Sequence, residues 1–441
     1  MTNLHSFFIT TFGCQMNVYD SNLIASMLEG AGLAQAANAE EADIILINTC
    51  SVRGGAEDRA YARIAGMRQY KKKKKHLVIV VVGCMAQNHK EHIFDELEHV
   101  NYVIGPDNYN RLTDVLLGDE YSGKHSLTEQ GGHNNYTGQA AKLDNTISVN
   151  IAIMRGCNKK CAYCIVPSVR GKEESRSPED IYKEIQGAVN QGIPEVVLLG
   201  QTVNSYNYHG HRFAALLRDI NNIRGLKRIR FTSPHPKHCN DELIQVMTDC
   251  SNVCNHLHLP VQSGSNAILK KMRRLYTREE YITFIQNLRA SIPRLGLTTD
   301  IITGFVGESQ KDFEDTLSLV QEVRFDSAFM FSYSPREGTP AYSEKETLSE
   351  IEKGARLRQL ITLQNTISAE KVREMIGMQE TILLEGPSRQ NKEELIGKTS
   401  CFKKVVVPGS KNLNPGELIK VKLVDVKGNT LIGNSIIASD N

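Results

Sequence analysis

Three short apolar runs, each closing on a cysteine, constrain the fold more than any other feature of this chain. Residues 7–12 lead to Gly-Cys at Cys14, residues 44–48 to Thr-Cys at Cys50, and residues 77–82 to Gly-Cys at Cys84. Runs of aliphatic and β-branched residues without polar alternation predict strands covered on both faces. Between them the pattern is helical. Residues 20–29 place Leu23, Ile24, Met27 and Leu28 on one side, and residues 56–70 also read as a helix. Strands alternating with helices predict a parallel α/β sheet. In such sheets ligands bind beyond the carboxyl ends of the strands. The cysteines are separated by 35 and 33 residues, one βα repeat each. Three thiols far apart in sequence are therefore expected to converge.

The rest of the chain changes character twice. Residues 118–146 are polar and poor in aliphatics, which reads as a linker or long loop. Strand patterns then resume at 148–154, 195–199, 228–232, 256–259, 297–302 and 328–331, with helices such as 178–191 and 278–291 between them. Six βα units of this kind predict a partial parallel barrel with its function at the strands' carboxyl ends. From about 376, strands at 380–385, 398–407, 417–426 and 430–437 are separated by Gly, Pro and Asn, which predicts a small, mildly basic all-β barrel. The expected organisation is a domain at 1–120, a linker at 121–142, an α/β core at 143–373 and a β unit at 376–439. For 441 residues, at roughly 150 per domain, three domains are also what length alone suggests.

Composition narrows the class. The net charge of +2, from 52 basic and 50 acidic residues, argues against a broadly basic nucleic-acid binder but not against a local basic face. The longest apolar stretch, 77–86, is about half of a membrane span, so no membrane association is expected. The N-terminal residues lack a basic n-region and a long apolar h-region, so no signal peptide is expected. In the reducing cytoplasm implied by this, ten cysteines are better suited to metal or redox chemistry than to disulfides.

Cys157, Cys161 and Cys164 form a C-x3-C-x2-C triplet directly after the strand at 148–154. Three thiolates within eight residues can wrap one metal cluster. Zinc would want a fourth Cys or His close by, and none occurs in the next forty residues. Electron-transfer clusters usually take four cysteines, so a three-cysteine set leaves one iron open to substrate.

This triplet, with Tyr163 before its last cysteine, resembles the signature of the radical S-adenosylmethionine (SAM) superfamily. The segments TFGCQMNVYDS (11–21), NTCSVR (48–53) and VGCMAQ (82–87) resemble the N-terminal domain of the methylthiotransferase family. RGCNKKCAYCIVPSVRGKEESR (155–176), LLGQTVNSY (198–206), TSPHP (232–236), HLPVQSGS (258–265) and TDIITGFVGES (300–309) resemble its radical core. The β unit resembles its RNA-binding TRAM domain. The resemblance covers essentially the whole chain. Gln-Met-Asn after Cys14 and NTCSVR point to the MiaB type, which modifies tRNA.

The resemblance implies two 4Fe-4S clusters and S-adenosyl-L-methionine as cofactors. Cys157, Cys161 and Cys164 would hold the cluster whose open iron binds SAM and whose electron releases a 5′-deoxyadenosyl radical. Cys14, Cys50 and Cys84 would hold an auxiliary cluster that delivers sulfur. The product would be a methylthio group on carbon 2 of N6-isopentenyladenosine, beside the anticodon. The implied partners are a tRNA anticodon loop and an electron donor of flavodoxin or ferredoxin type. The protein is expected to be a cytoplasmic monomer.

Other residues carry weaker signals. Tyr163, Arg176, Gln201, Asn204, Gln262, Ser263, Gly264 and Gly304 are candidate cofactor contacts. Gln201 and Asn204 follow the second barrel strand, though turn polarity explains them equally. Arg176 suits a carboxylate fork or a structural ion pair. Gly264 and Gly304 allow close backbone approach, or are ordinary turn glycines. Arg273, Arg274 and Lys71–Lys75 could meet RNA phosphate or be solvated. Phe402 with Lys403 and Lys404 is a candidate stacking face, or a barrel core aromatic. Cys239, Cys250, Cys254 and Cys401 read as packing residues. Two other readings remain open on sequence alone: an iron–sulfur electron carrier with an RNA-binding tail, and a radical enzyme acting on a protein side chain.

Overall fold

The computed structural model describes residues 4–51, 54–118, 123–131, 146–410 and 412–436. The N-terminal sheet contains β1 (Ser6–Thr11), β2 (Ala34–Gln35), β3 (Ile44–Thr49), β4 (Val78–Gly83), β5 (Tyr102–Ile104) and β6 (His125–Leu127). Their order is β2-β1-β3-β4-β5-β6 and every pairing is parallel. The continuous apolar runs explain its double cover. Ile44, Leu46, Val80 and Val82 point into one apolar layer, and Ile45, Ile47, Ile79 and Val81 into the other. All six residues of β3 are buried. The first layer also takes in Ala152, Val197 and Leu199 of the next domain, so the two units share a core.

The sheet has three strands more than the sequence pattern predicts. β2, β5 and β6 are two or three residues long, too short to show a period, and they are held by pairing to distant neighbours. β6 falls inside the expected linker at 121–142 and pairs with β5. Residues 121–122 and 132–142 of that span lie outside the described residues.

Among the described residues the parallel strands of the central domain are β7 (Ser148–Ala152), β8 (Glu195–Leu199), β9 (Arg228–Phe231), β10 (His256–His258), β11 (Gly296–Thr303) and β12 (Ser327–Ser332), beside two short antiparallel pairs. They form parallel sets β9-β8-β7 and β10-β11-β12, and a parallel bridge from Ile229 to Val253 links the two sets. This is the expected partial (β/α)6 barrel. Its helices start where the sequence signals it. Ser177 Oγ accepts from the Asp180 amide at the start of Pro178–Asn190, and Thr277 with Glu280 forms a capping box before Arg278–Ser291.

The C-terminal unit is a closed barrel of β13 (Gln379–Pro387), β14 (Glu394–Thr399), β15 (Lys404–Pro408), β16 (Leu418–Lys427) and β17 (Thr430–Ser435), in the order β13-β14-β15-β17-β16. The strand expected at 398–407 is two strands. A turn through Ser400 and Phe402 divides it, and Phe402 has φ +69°, a conformation no apolar pattern signals.

That turn docks on the central domain. Arg228 donates to the carbonyls of Lys398 and Thr381 at 2.6 and 2.9 Å, and Arg230 to those of Thr399 and Ser400 at 2.9 and 3.1 Å. Phe402 stacks on His256 at 4.8 Å, with the Arg230 guanidinium also over its ring. Phe402 thus packs on the domain seam while 45% of it stays exposed. Arg228, His256 and Gly296 open their strands, so the barrel sits at the end of the core opposite the cysteine triplet. Among the described residues no helix is long and apolar enough to cross a membrane.

Candidate metal centres

Cys14, Cys50 and Cys84 leave β1, β3 and β4 at the same sheet edge. A Cβ added to Gly13 would lie 2.7 Å from the Cys50 Cβ, which measures how closely the first two segments approach. Asn17 ties them together. Its Oδ1 accepts from the Cys14 amide and thiol, both at 3.3 Å, and its Nδ2 donates to Asn48 Oδ1 at 2.9 Å and the Thr49 carbonyl at 3.1 Å. Asn48 Nδ2 returns a bond to the Asn17 carbonyl at 2.8 Å. Asn17 and Asn48 are fully buried, so this amide network is shielded from competing water. Gly83, at φ +97°, brings β4 so close to β3 that a Cβ would lie 2.5 Å from the Thr49 carbonyl.

Cys84 is buried beneath the central domain. It packs with Ile165 and Val169, and Ile165 directly follows Cys164. The two triplets are therefore neighbours across the domain seam. Arg170, last residue of Val166–Arg170, crosses that seam. Its Nε donates to Cys84 Sγ at 3.1 Å, and its guanidinium pairs with buried Asp20 at 2.7 Å. The hydrogen bond with Cys50, aided by the Arg170 charge, brings the Cys14 thiol down to about 6. Burial pushes Cys84 up against the pull of Arg170.

Cys157, Cys161 and Cys164 share one loop beyond β7. Gly156, at φ +70°, passes so near the Lys172 carbonyl that any Cβ would collide with it. The Cys157 amide bonds to Gly171 at 3.1 Å, Ala162 to Met272 at 3.0 Å, and Ala341 to Ala162 at 2.8 Å, which anchors the loop at both ends. Thr202 Oγ1 lies 3.6 Å from Cys157 Sγ. Arg274 is 5% exposed. Its guanidinium reaches Cys161 Sγ and Tyr163 Oη, both at 3.4 Å, the Pro260 carbonyl at 3.1 Å and Tyr276 Oη at 3.1 Å. Arg274 is thus part of this site, not a phosphate contact. Burial pushes Cys164 up to about 12.

Both donor sets suit a thiolate-ligated iron–sulfur cluster. Each offers three sulfurs and one buried arginine that donates to one of them, which suits the negative charge of a thiolate-ligated cluster. Among the described residues no three His, Cys, Asp or Glu side chains gather closely enough for a single ion. A 4Fe-4S cluster asks for a wider spacing, because each thiolate meets its own iron.

The other expected site residues separate. Gln201 has a buried Oε1 with no protein hydrogen-bond partner, as a ligand contact would leave it. Gln262 extends the sheet through its backbone at φ +71°. Asn204 is engaged by His235, accepting from its amide at 2.8 Å and donating to its carbonyl at 3.0 Å. Arg176 makes a buried pair with Glu184 at 2.7 Å and donates to Tyr19 Oη and the Ala152 carbonyl, so it has the structural role. Ser263 and Gly264 face Thr316, and a Cβ at Gly264 would lie 2.5 Å from the Asp315 carbonyl. Gly304, at φ +71°, makes room for the Lys353 stem. Both glycines thus admit protein.

Tyr163 meets Phe305 edge-on. Lys71 and Lys74 bond to backbone carbonyls at the foot of the sheet, while Lys72, Lys73 and Lys75 are exposed. Cys250, Cys254 and Cys401 are buried and Cys239 is partly so. Sequence reasoning missed Arg170, Asn17 and Thr202. The only available signal was positional: an arginine ending an apolar turn just past the triplet, and an amide three residues after Cys14.

A six-stranded parallel core with a three-cysteine loop after its first strand defines a radical SAM enzyme, which works with an iron–sulfur cluster and S-adenosylmethionine. The comparisons agree. Residues 151–320 match the Radical SAM superfamily, 6–105 the Uncharacterized protein family UPF0004 and 373–436 the TRAM domain. A tRNA-2-methylthio-N(6)-dimethylallyladenosine synthase from Carboxydothermus hydrogenoformans is 44% identical, covering 96% of this chain and 97% of its own. One from Clostridium novyi is 41% identical, covering 98% and 96%. Among solved structures, the radical SAM methyltransferase TsrM from Kitasatospora setae has TM-score 0.57 at 12% identity, over 77% of each chain, and shows the fold alone. The chain belongs to the tRNA-2-methylthio-N(6)-dimethylallyladenosine synthase family.

Proposed function

We propose that this protein inserts a methylthio group at carbon 2 of N6-isopentenyladenosine at position 37 of tRNA, using two 4Fe-4S clusters and S-adenosylmethionine. The observation that carries the reading is the adjacency of two three-cysteine sets, Cys84 packing on the residue that follows Cys164. When bound, the two clusters and SAM supply a radical able to break an unreactive aromatic C–H and a sulfur to replace the hydrogen.

The protein's part is to hold, shield and orient. Cys157, Cys161 and Cys164 hold one cluster, and Cys14, Cys50 and Cys84 hold the other. Arg274 balances charge at the first site and fixes Tyr163 beside it. Gln201 offers its unpartnered Oε1 to the amino group of SAM, and Gln262 presents backbone at the carboxyl end of the barrel. Cys50, Cys84 and Cys161 are buried, Cys157 and Cys164 are half-buried and Cys14 is exposed, so protein covers one side of each set and leaves the other accessible. A base in an anticodon loop can be splayed from its neighbours into such a seam, and the match of the β-barrel to the TRAM domain supports an RNA substrate. The protein acts in the cytoplasm as a monomer, with a flavodoxin- or ferredoxin-type donor supplying electrons.

The test is anaerobic reconstitution with reductant, SAM and tRNA carrying N6-isopentenyladenosine, followed by mass spectrometry of the nucleosides. The expected product is the 2-methylthio nucleoside, with none from tRNA lacking the isopentenyl group. Formation of 5′-deoxyadenosine with unchanged tRNA would overturn the substrate assignment and favour a protein side chain.

A further inference from the structure

Arg170 belongs to the radical core by sequence and to the auxiliary site by contact. It is 4% exposed. Its Nε–H points at Cys84 Sγ at 3.1 Å, and its guanidinium is held by Asp20, 0% exposed, at 2.7 Å. Asp20 lies on the helix Gln15–Gly30 that begins directly after Cys14. The two charges cancel each other, but they are not equivalent toward the sulfur. The arginine donates a hydrogen bond to it, while the carboxylate stands behind the arginine. A hydrogen bond to a cluster thiolate, and a positive charge beside it, favour the reduced, more negative state of the cluster. Both are delivered here by the other domain, from a helix starting two residues after Cys164.

We propose that Arg170 is a positioning residue of the auxiliary site, setting the hydrogen bonding and charge at Cys84, and through them the reduction potential of the cluster, from across the domain seam. Asp20 tempers the effect and fixes the direction of the guanidinium. The inference rests on the reading that Cys14, Cys50 and Cys84 hold a 4Fe-4S cluster.

The test uses the full chain with Cys157→Ala, Cys161→Ala and Cys164→Ala, reconstituted anaerobically so that only the auxiliary cluster remains. Iron counting is followed by a redox titration read by electron paramagnetic resonance. About four irons per chain are expected from one 4Fe-4S cluster. Arg170→Gln should move the midpoint potential negative and alter the resonance of the reduced cluster. Arg170→Lys, which keeps the charge without the Nε–H, should recover part of the shift. Asp20→Asn should move the potential the opposite way. A purely structural ion pair would lower thermal stability in all three without shifts of opposite sign.

An unchanged potential in Arg170→Gln, with the cluster present, would overturn the inference and leave the auxiliary-site reading intact. Absence of iron in the parent variant would overturn both. If Arg170→Gln does not fold, Arg170→Lys and Asp20→Asn decide by the same criterion: shifts of opposite sign support the proposal, and shifts of one sign or none overturn it.

Discussion

The two cysteine sets proposed to hold clusters are built in opposite ways. Cys157, Cys161 and Cys164 sit in one loop, and closing that loop costs little chain entropy. Cys14, Cys50 and Cys84 come from three strands and meet only when β1, β3 and β4 are paired in register. Slipping a strand by one residue would turn its buried set to the other face and carry its cysteine away. Yet the details are parallel. In both, a glycine at positive φ precedes a cysteine (Gly83 and Gly156), and a buried arginine remote in sequence donates to one sulfur. A local set needs the fold only to be covered. A dispersed set needs the fold in order to exist.

Removing one ligand from each set tests this most strongly. Cys157→Ala should abolish 5′-deoxyadenosine formation and lower iron from about eight to about four per chain, as measured by chromatography and iron analysis. Cys50→Ala should lose the same iron but keep SAM cleavage, while methylthiolated product disappears. If that variant still made product, the division of labour between the sites would be wrong.

A lesion far from both sites provides the contrast. Asp326, 8% exposed, pairs with Lys371 and with Lys403 of the β-barrel, each at 2.7 Å. Asp326→Asn should cost about 3–5 kcal/mol, as for other broken buried pairs, with both clusters still loaded. Burial would raise the Asp326 carboxyl, but Lys403 and Lys371 outweigh it and hold it below its ordinary value. The seam therefore contributes stability above about pH 4 and loses it as pH falls further, through the folded value. Thermal melts of wild type and Asp326→Asn across that range check it.

Gly83→Ala and Gly156→Ala should each add at least the roughly 1–3 kcal/mol of a strained φ, and more from the added Cβ, which would press on the Thr49 and Lys172 carbonyls. The first should deplete the auxiliary cluster and the second the radical cluster, as iron counts on single-cluster backgrounds would show. If Gly83→Ala emptied the radical site as well, the sites would be less independent than their construction implies. The smallest effect is expected at exposed Lys72. Lys72→Ala should change stability by less than about 0.5 kcal/mol and leave the salt dependence of tRNA binding unaltered.

Much of this was legible in the chain. Continuous apolar runs identified β3, β4 and β8, which are buried on both faces, and β-branched or alternating patterns between helices identified β1 and the other core strands. The convergence of the three cysteines followed from their place at strand ends. What escaped was non-local or short. β2, β5 and β6 depend on pairing partners tens of residues away, and the turn through Phe402 depends on docking. Arg176 took the ion-pair alternative, while Arg274, expected at RNA phosphate or in solvent, turned inward to Cys161. A guanidinium reads the same in sequence whether it faces a carboxylate, a thiol or a phosphate.

By itself the sequence determined the domain order and the hydrophobic layers, which depend on periodicity along one chain, and it singled out the six cysteines proposed here as cluster ligands. Only the tertiary structure decided that Arg170 reaches Cys84 and that the two sets are neighbours. It also decided that the β-barrel is fixed to the far end of the core by Arg228 and Arg230. Those are contacts between elements, governed by packing and desolvation across domain seams, and no local pattern encodes them.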